Sequence, residues 1–454
     1  MKRKNMCAVP PMGWNSWNTF AENINEELIF GIVDQMKEMG YQKAGYEYIV
    51  IDDCWSLKQR DAQGHLVPDP AKFPHGMKAV ADYVHANGFK FGMYSCCGTR
   101  TCADYPGSFE HEYDDARQLA EWGVDFLKYD NCFKPQRQDV QTLYRRMGLA
   151  LANCGRDIVF SACEWGFYDV YNWIKSTGAH LFRSTVDIND SWNSIKDIAL
   201  SQLDKMPYSA PYCHNDMDML VVGMHGVGGT DYIATGGCST EEYQTHFALW
   251  AMMNSPLMIG CDIRTIQEQD KAILLNEDLI AINQDIECRQ PYEIHCESNS
   301  PEVHILVKLL SNGDLAIAFF NMGDIPEKCA VDFGDIGLPL NSGCGLDFYD
   351  CISHENLGIQ REAFVRTIPS HGCSVYRCKV VPIGEKMSDY LCMKCQTKLQ
   401  SDEIALHRKL YGIASRRYMC LDCQEQYLSC TRERLEHIIE MYHKSGTCVL
   451  FAKW

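Results

Sequence analysis

Several charged residues stand out because each closes a short apolar run. Asp52 and Asp53 end YIVIDD (48–53), and Asp130 ends VDFLKYD (124–130), with Lys128 just before it. Glu164 ends IVFSACE (158–164), Arg183 ends HLFR (180–183) and Asp218 ends YCHNDMD (212–218). Asp187 follows Arg183 in the next loop. A cation beside a carboxylate favours its ionised form, which suits Asp130 to nucleophilic attack. A partly buried carboxyl facing another carboxylate is held protonated, which suits Asp187 to give up a proton. Cleavage of a glycosidic bond needs one carboxyl group of each kind. Taken singly, each of these side chains reads equally well as a salt-bridge residue.

The elements behind them decide whether they meet. With FKFGMY (89–94), PLMIG (256–260) and MGWNSW near the start, the runs make eight strand candidates. Between them apolar residues recur at helical spacing, as in Leu28, Ile29, Ile32, Val33, Met36 and Met39, or Met77, Val80, Ala81 and Val84. Strand and helix alternating eight times over 7–286 predict an α/β fold, a (β/α)₈ TIM barrel, over a doubly wound open sheet. The C-terminal strand ends of such a barrel form one face, so four acidic ends and one arginine would share a ring.

The pattern changes over 287–382. VHILVKLL, SNGD and LAIAFFN read as a β-hairpin with an Asn-Gly turn, and further alternating segments predict an antiparallel β-sandwich. From 385 to 454 cysteine pairs and two helical stretches follow. Cys392-x-x-Cys395 and Cys420-x-x-Cys423 supply four thiolates, enough for a tetrahedral structural Zn²⁺ in a zinc-ribbon-like module. The module also carries His407, Arg408, Lys409, Arg416 and Arg417. No base-reading motif accompanies them, and the formal net charge of -18 disfavours a nucleic-acid partner.

No run of about 18 apolar residues occurs, so no membrane-spanning helix is expected. The basic start lacks the apolar stretch of a secretory signal, and a cytoplasmic protein is the simplest expectation. There, most of the 24 cysteines would be free thiols or metal ligands rather than disulfides. Oligomeric state is not legible.

PPMGWNSWN (10–18), IDDCW (51–55), FPHGMKAVADYVHANGFKFGMYS (73–95) and TCADYPGSFEHEYDDA (101–116) resemble family 27 of the glycoside hydrolases. So do WGVDFLKYDNC (122–132), CEWG (163–166), FRSTVDINDSW (182–192) and NDMDMLVVG (215–223). That family contains α-galactosidases and α-N-acetylgalactosaminidases. The resemblance implies a barrel followed by a β-sandwich, and a retaining exo-acting enzyme with no catalytic cofactor. It implies Asp130 as nucleophile and Asp187 as acid/base. It also implies Trp14 as an aromatic platform, with Asp52, Asp53, Lys128 and Arg183 on the sugar hydroxyls and Tyr94 and Asp218 lining the site. Glu164 and bulky Phe167 leave little room for an acetamido group and imply galactose over N-acetylgalactosamine. Asp52-Asp53 argues against β-L-arabinopyranosides. Cys132, near the site, matches one half of a family disulfide with Cys102; free thiols are the other reading. The loop TFAENIN lacks the family's usual partner for Cys54. A non-catalytic carbohydrate-binding relative should have lost a carboxylate, and both are present. The substrate expected is an α-galactoside of unspecified aglycone.

Overall fold

The computed structural model describes residues 6–294, 300–338, 342–383, 390–412, 415, 417–446 and 448–451. Arg416 and the expected module start at 385 fall outside these. The chain divides into two compact units, Met1–Pro291 with His371–Cys373, and Tyr292–Ser370 with Ser374–Trp454.

All eight expected strands form in the first unit. They are β1 (Met12–Asn15), β2 (Tyr48–Val50), β3 (Lys90–Cys96), β4 (Phe126–Asp130), β5 (Val159–Cys163), β6 (Leu181–Arg183), β7 (His214–Asp216) and β8 (Leu257–Ile259). They run parallel in the order β7-β6-β5-β4-β3-β2-β1-β8. The ring closes just past β7, where Leu220 N donates to Met258 O at 2.7 Å and Gly260 N donates to Leu220 O at 2.9 Å. The amphipathic stretches are helices, Glu26–Glu38 burying Leu28, Ile29, Ile32, Val33 and Met36, and Gly76–Ala86 burying Met77, Val80, Ala81 and Val84. Asn25 caps the first of them by accepting from Leu28 N at 2.8 Å.

Alternation along the strands sets what points into the barrel. Tyr48, Val50, Phe126, Val159, Leu181 and Met258 pack together as its inner core. The barrel is full at Gly92, where a Cβ would stand 2.7 Å from Val50 Cγ2 and 3.2 Å from Phe126 Cβ. Residues two and four positions beyond the inner-core positions continue the same face toward the C-terminal mouth. These are Asp52 on β2, Lys128 and Asp130 on β4, Cys163 on β5 and Arg183 on β6.

The second unit contains β9 (Tyr292–Ile294), β10 (Val303–Leu309), β11 (Leu315–Asn321), β12 (Glu327–Asp332), β13 (Cys344–Asp350), β14 (Asn356–Gln360), β15 (Ala363–Ile368) and most of β16 (Cys373–Pro382). A six-stranded sheet, β14-β13-β16-β11-β10-β9, faces the pair β12-β15. Ile305, Val307, Ile317 and Phe319 of one sheet share a core with Val331, Phe364 and Ile368 of the other. The expected hairpin is β10–β11, with Leu309 opposite Leu315 and Gly313 at φ 88° in the turn.

Among the described residues the cysteine module has three α-helices where the sequence suggested two: Ser401–Tyr411, Leu421–Leu428 and Arg432–Ser445. Its apolar clusters are small, one around Leu406, Leu421 and Leu435, the other around Leu399, Tyr418 and Met419. His407 and Arg408 are buried, and Arg408 Nη2 meets Asp335 Oδ1 of the sandwich at 3.4 Å, so neither adds to a basic surface. Among the described residues no helix is long and apolar enough to cross a membrane.

Candidate active site

A pocket opens at the C-terminal mouth of the barrel. Asp52, Asp53, Tyr94, Lys128, Asp130, Arg183, Asp187 and Asp218 all line it. Strand register brings them together, since Tyr94 lies beside Lys128, Cys96 beside Asp130 and Cys163 beside Arg183.

Each acidic group is held. Asp130 Oδ2 accepts from Tyr94 Oη at 2.8 Å, and its Oδ1 accepts from Asn131 N at 2.9 Å. Asp52 Oδ2 accepts from Lys128 Nζ and from Asn15 Nδ2, both at 2.8 Å. Asp53 accepts backbone N–H bonds from Cys54 at 2.7 Å and Ala103 at 3.1 Å. Arg183 bridges two carboxylates, reaching Asp187 Oδ1 at 2.7 Å and Asp218 Oδ2 at 2.5 Å. Asp187 is the open member of the set, its side chain 52% exposed.

Burial pushes Asp130 up to about 6, with Asp187 adding to it and Lys128, Asn131 N–H and Tyr94 O–H pulling the other way. Burial likewise raises Asp218 to about 6 against the pull of Arg183. The arrangement therefore offers one enclosed carboxylate that is ionised at neutral pH beside an exposed one. Asp52, Asp53, Lys128, Arg183 and Asp218 line the same pocket. Polyols are oriented well by such charged hydrogen-bonding partners.

A family model described as Alpha galactosidase A matches residues 9–285. The chain belongs to this melibiase family of glycoside hydrolases. A second match, Alpha galactosidase C-terminal beta sandwich domain, covers residues 300–378. The chain is 40% identical over 368 residues to an alpha-galactosidase of Cyamopsis tetragonoloba, covering 81% of this chain and 85% of the relative. The solved alpha-galactosidase I of Mortierella vinacea is 30% identical with a TM-score of 0.76, covering 83% of this chain and 98% of its own. The alpha-galactosidase of Saccharomyces cerevisiae with raffinose is 28% identical with a TM-score of 0.75, covering 84% and 100%.

Four expected site residues sit elsewhere. Trp14 is fully buried, its indole N–H donating to Cys261 O at 2.9 Å, and it does not line the pocket. Trp17 does line it. Gly13 and Asn15 share the inward parity of β1, so Trp14 points out of the barrel, and Trp17 beyond the strand end returns to the mouth. Glu164 follows the end of β5 and is absent from the pocket lining. Cys163 and Trp165 line the pocket, whereas Glu164 between them is buried behind it and accepts from Asn131 Nδ2 at 3.0 Å. Burial raises Glu164 to about 8. Phe167 lines an adjoining groove rather than the pocket. Cys132 is disulfide-bonded to Cys102, and Cys102 Sγ lies at the pocket wall 3.7 Å from Asp130 Oδ2. Cys54 is a free thiol.

Sequence reading missed Trp17, Asn18, Trp165, Met219 and Ile233 in the lining, and Asn15 behind Asp52. Strand parity carried the signal for Asn15, Trp17 and Trp165. Ile233 comes from a loop after β7 whose approach no local pattern reveals.

In the second unit, ligand atoms of Cys392, Cys395, Cys420 and Cys423 lie within 4.8 Å of one another. Zn–S bonds of about 2.3 Å at tetrahedral angles would place sulfurs about 3.8 Å apart, a spacing within this bound, and Cys395 Sγ and Cys420 Sγ stand 3.5 Å apart. Burial opposes ionisation of Cys392, but N–H groups of Cys395, Cys420 and Lys394 outweigh it and lower the thiol to about 6. Such donors suit a thiolate ligand.

Proposed function

We propose that the chain is a retaining, exo-acting α-galactosidase with Asp130 as nucleophile and Asp187 as general acid/base. The carrying observation is that one pocket holds the buried Asp130, the exposed Asp187 and the cations that grip their neighbours, in a chain of this family. Asp130 attacks the anomeric carbon while Asp187 protonates the departing glycosidic oxygen. Asp187 then takes a proton from water, which attacks the same carbon and frees Asp130. Asp52, Asp53 and Lys128 bind the far hydroxyls, Arg183 and Asp218 those nearer Asp187, and Trp17 supplies the aromatic wall assigned above to Trp14. Selection against an acetamido group falls to the pocket wall at Cys163 and Trp165, which Glu164 supports from behind. No cofactor takes part. The test is hydrolysis of p-nitrophenyl α-galactoside followed by NMR. α-Galactose should appear first, and the N-acetyl and β-L-arabinopyranosyl substrates should be slower. Initial release of the β-anomer, or preference for either other substrate, refutes the reading.

We further propose that the four cysteines hold one structural Zn²⁺, all four positions being filled by protein so that none is open to water.

Two expectations follow from the geometry. The nucleophile must be ionised, and Asp130 stands at about 6. Activity should therefore fall about tenfold per pH unit below that value in kcat/KM, which reports the free enzyme. Lys128→Met removes the cation that favours the charged form, so its acid limb should move up by roughly one unit. A limb that stays in place argues that Asp130 is not the titrating group.

Trp17→Ala should lower kcat/KM on the nitrophenyl substrate by about 10–100-fold, equivalent to about 1.4–2.8 kcal/mol, with little change in Tm. Trp14→Ala should do the reverse in kind and destabilise by about 3–5 kcal/mol, because it empties a core position. Matched Tm and kcat/KM measurements on the two variants would expose an exchange of these roles.

A further inference from the structure

Asp190 is a fully buried carboxylate that the reaction described above does not use, and it does not line the pocket. It follows Asp187 by three residues. Its carboxylate clasps the glycine-rich segment 222–238 that comes after β7. Oδ2 accepts from Gly226 N at 2.7 Å, and Tyr243 Oη lies 2.9 and 3.0 Å from the two oxygens. The Asp190 backbone holds the same segment, with its N donating to Ile233 O at 3.1 Å and its O accepting from Gly237 N at 3.2 Å.

These bonds close the neck of a loop. Gly237 adopts φ 87°, and a Cβ there would stand 2.8 Å from the His225 carbonyl carbon, so the two limbs meet backbone to backbone. Tyr243 Oη accepts in turn from His225 N at 2.7 Å, and His225 Nε2 pairs with the buried Asp270 Oδ2 at 2.6 Å. Burial raises Asp190 from its ordinary value against the pull of Gly226 N–H and Tyr243 O–H. The clasp therefore carries a cost that apolar packing would avoid.

The tip of the loop reaches the site. Ile233 lines the pocket, and Tyr232 Oη donates to Asp187 O at 2.8 Å. The Asp187 carboxylate is half exposed, with Arg183 on Oδ1, so its place depends on the backbone that carries it. That backbone is held on the pocket side by Arg183 Nη2 donating to Val186 O at 3.0 Å and by Ile188 N donating to Asp218 Oδ2 at 2.7 Å. On the other side the loop holds it, through Tyr232 and through Asp190.

Given the galactosidase reading on which this rests, we propose that Asp190 is a positioning residue for general-acid catalysis, setting Asp187 within proton-transfer reach of the glycosidic oxygen through the neck of this loop. Proton transfer needs heavy atoms about 2.6–3.2 Å apart, and a misplacement of about 1 Å costs on the order of 10²-fold.

The experiment uses the full chain and two leaving groups. Melibiose breaks onto a sugar oxygen, which must receive the Asp187 proton as it departs. Dinitrophenyl α-galactoside releases a stable phenolate that needs no proton. kcat/KM ends at this departure, so the later base step of Asp187 does not enter it. Asp190→Ala should lower kcat/KM on melibiose about 10–100-fold and on the dinitrophenyl substrate less than about threefold. Asp190→Asn keeps an acceptor for Gly226 N and should recover most of the melibiose activity. Tyr232→Phe removes only the hydroxyl of an exposed ring and should show a smaller loss with the same selectivity. Asp187→Ala should show the largest selective loss. Thermal melts establish folding; if Asp190→Ala does not fold, Tyr243→Phe, which removes one partner of the carboxylate, takes its place. Equal losses on the two substrates, or unchanged ratios in both the clasp variant and Tyr232→Phe, overturn the positioning role and leave the galactosidase reading intact. No selective loss in Asp187→Ala, or no turnover by the unmutated protein, refutes that reading of Asp187 and the positioning role with it.

Discussion

Asp130→Asn is expected to reduce kcat on α-galactosides by on the order of 10⁴-fold or more, because the amide cannot form the covalent intermediate. The substitution is isosteric, so Tyr94 Oη and Asn131 N keep a partner of the same shape. Asp130→Gly should also be inactive, but added azide can occupy the vacated face. It would attack the anomeric carbon there as Asp187 protonates the leaving oxygen, giving the β-galactosyl azide. Detection of that product by NMR ties Asp130 to the nucleophilic face in a way that mere loss of activity does not. Substantial turnover by Asp130→Asn would sink the assignment.

The same substitution should act on stability with the opposite sign. Asp130 rises from 3.8 to about 6 on folding, through burial first, so the charged form is disfavoured in the native state. That cost is absent below pH 3.8, grows between 3.8 and 6, and is fully present above. Two units correspond to about 3 kcal/mol, an upper figure for what the neutral amide recovers. Asp130→Asn should therefore melt at a higher temperature than the unmutated protein at pH 7, and the gap should close toward pH 4. Paired melts at the two pH values check this; a lower Tm at pH 7 would mean that Lys128 depends on Asp130 more than burial penalises it.

The barrel was legible because several strands carry a period-two inner face that ends in a charge, at Asp52, Asp130 and Arg183. β4 shows this plainly, with Phe126 in the core, Lys128 at the rim and Asp130 at the mouth on one parity. The sandwich hairpin was equally plain from its Asn-Gly turn. The errors came from naming motifs without applying that parity. Trp14 lies within a well-marked motif, yet has the outward phase of β1, and Trp17 lines the pocket instead. Phe167 follows Gly166 at φ 83°, a left-handed turn that ends the strand period, and so its direction was unreadable. The helix Leu421–Leu428 was missed because it is short and starts directly after Cys420, where local polarity hides its phase.

Removing zinc from the proposed four-cysteine site should unfold the cysteine module. Its helices bury little: the cluster holding Leu406, Leu421 and Leu435 and the one beside Cys392 and Cys420 are each only a few side chains deep. A segment of this size does not stabilise itself by apolar burial alone. Bound Zn²⁺ contributes about 10–16 kcal/mol in small zinc domains near neutral pH, far more than those clusters supply. Cys420→Ser removes one of the four thiols of the proposed site and keeps the backbone N–H that donates to Cys392 Sγ at 3.3 Å. Metal analysis should show one zinc per chain before the substitution and none after it. Hydrogen exchange should then lose protection over Ser401–Tyr411 and Leu421–Leu428, and a strong chelator should produce the same loss in the unmutated protein. Acid should mimic the chelator, because protons compete with the metal for the thiolate ligands. Every residue lining the carboxylate pocket belongs to the first unit, so turnover of p-nitrophenyl α-galactoside should survive the treatment. Full protection in Cys420→Ser, with no zinc bound before or after, would show that the four cysteines are packing residues and that the module holds itself together without a metal.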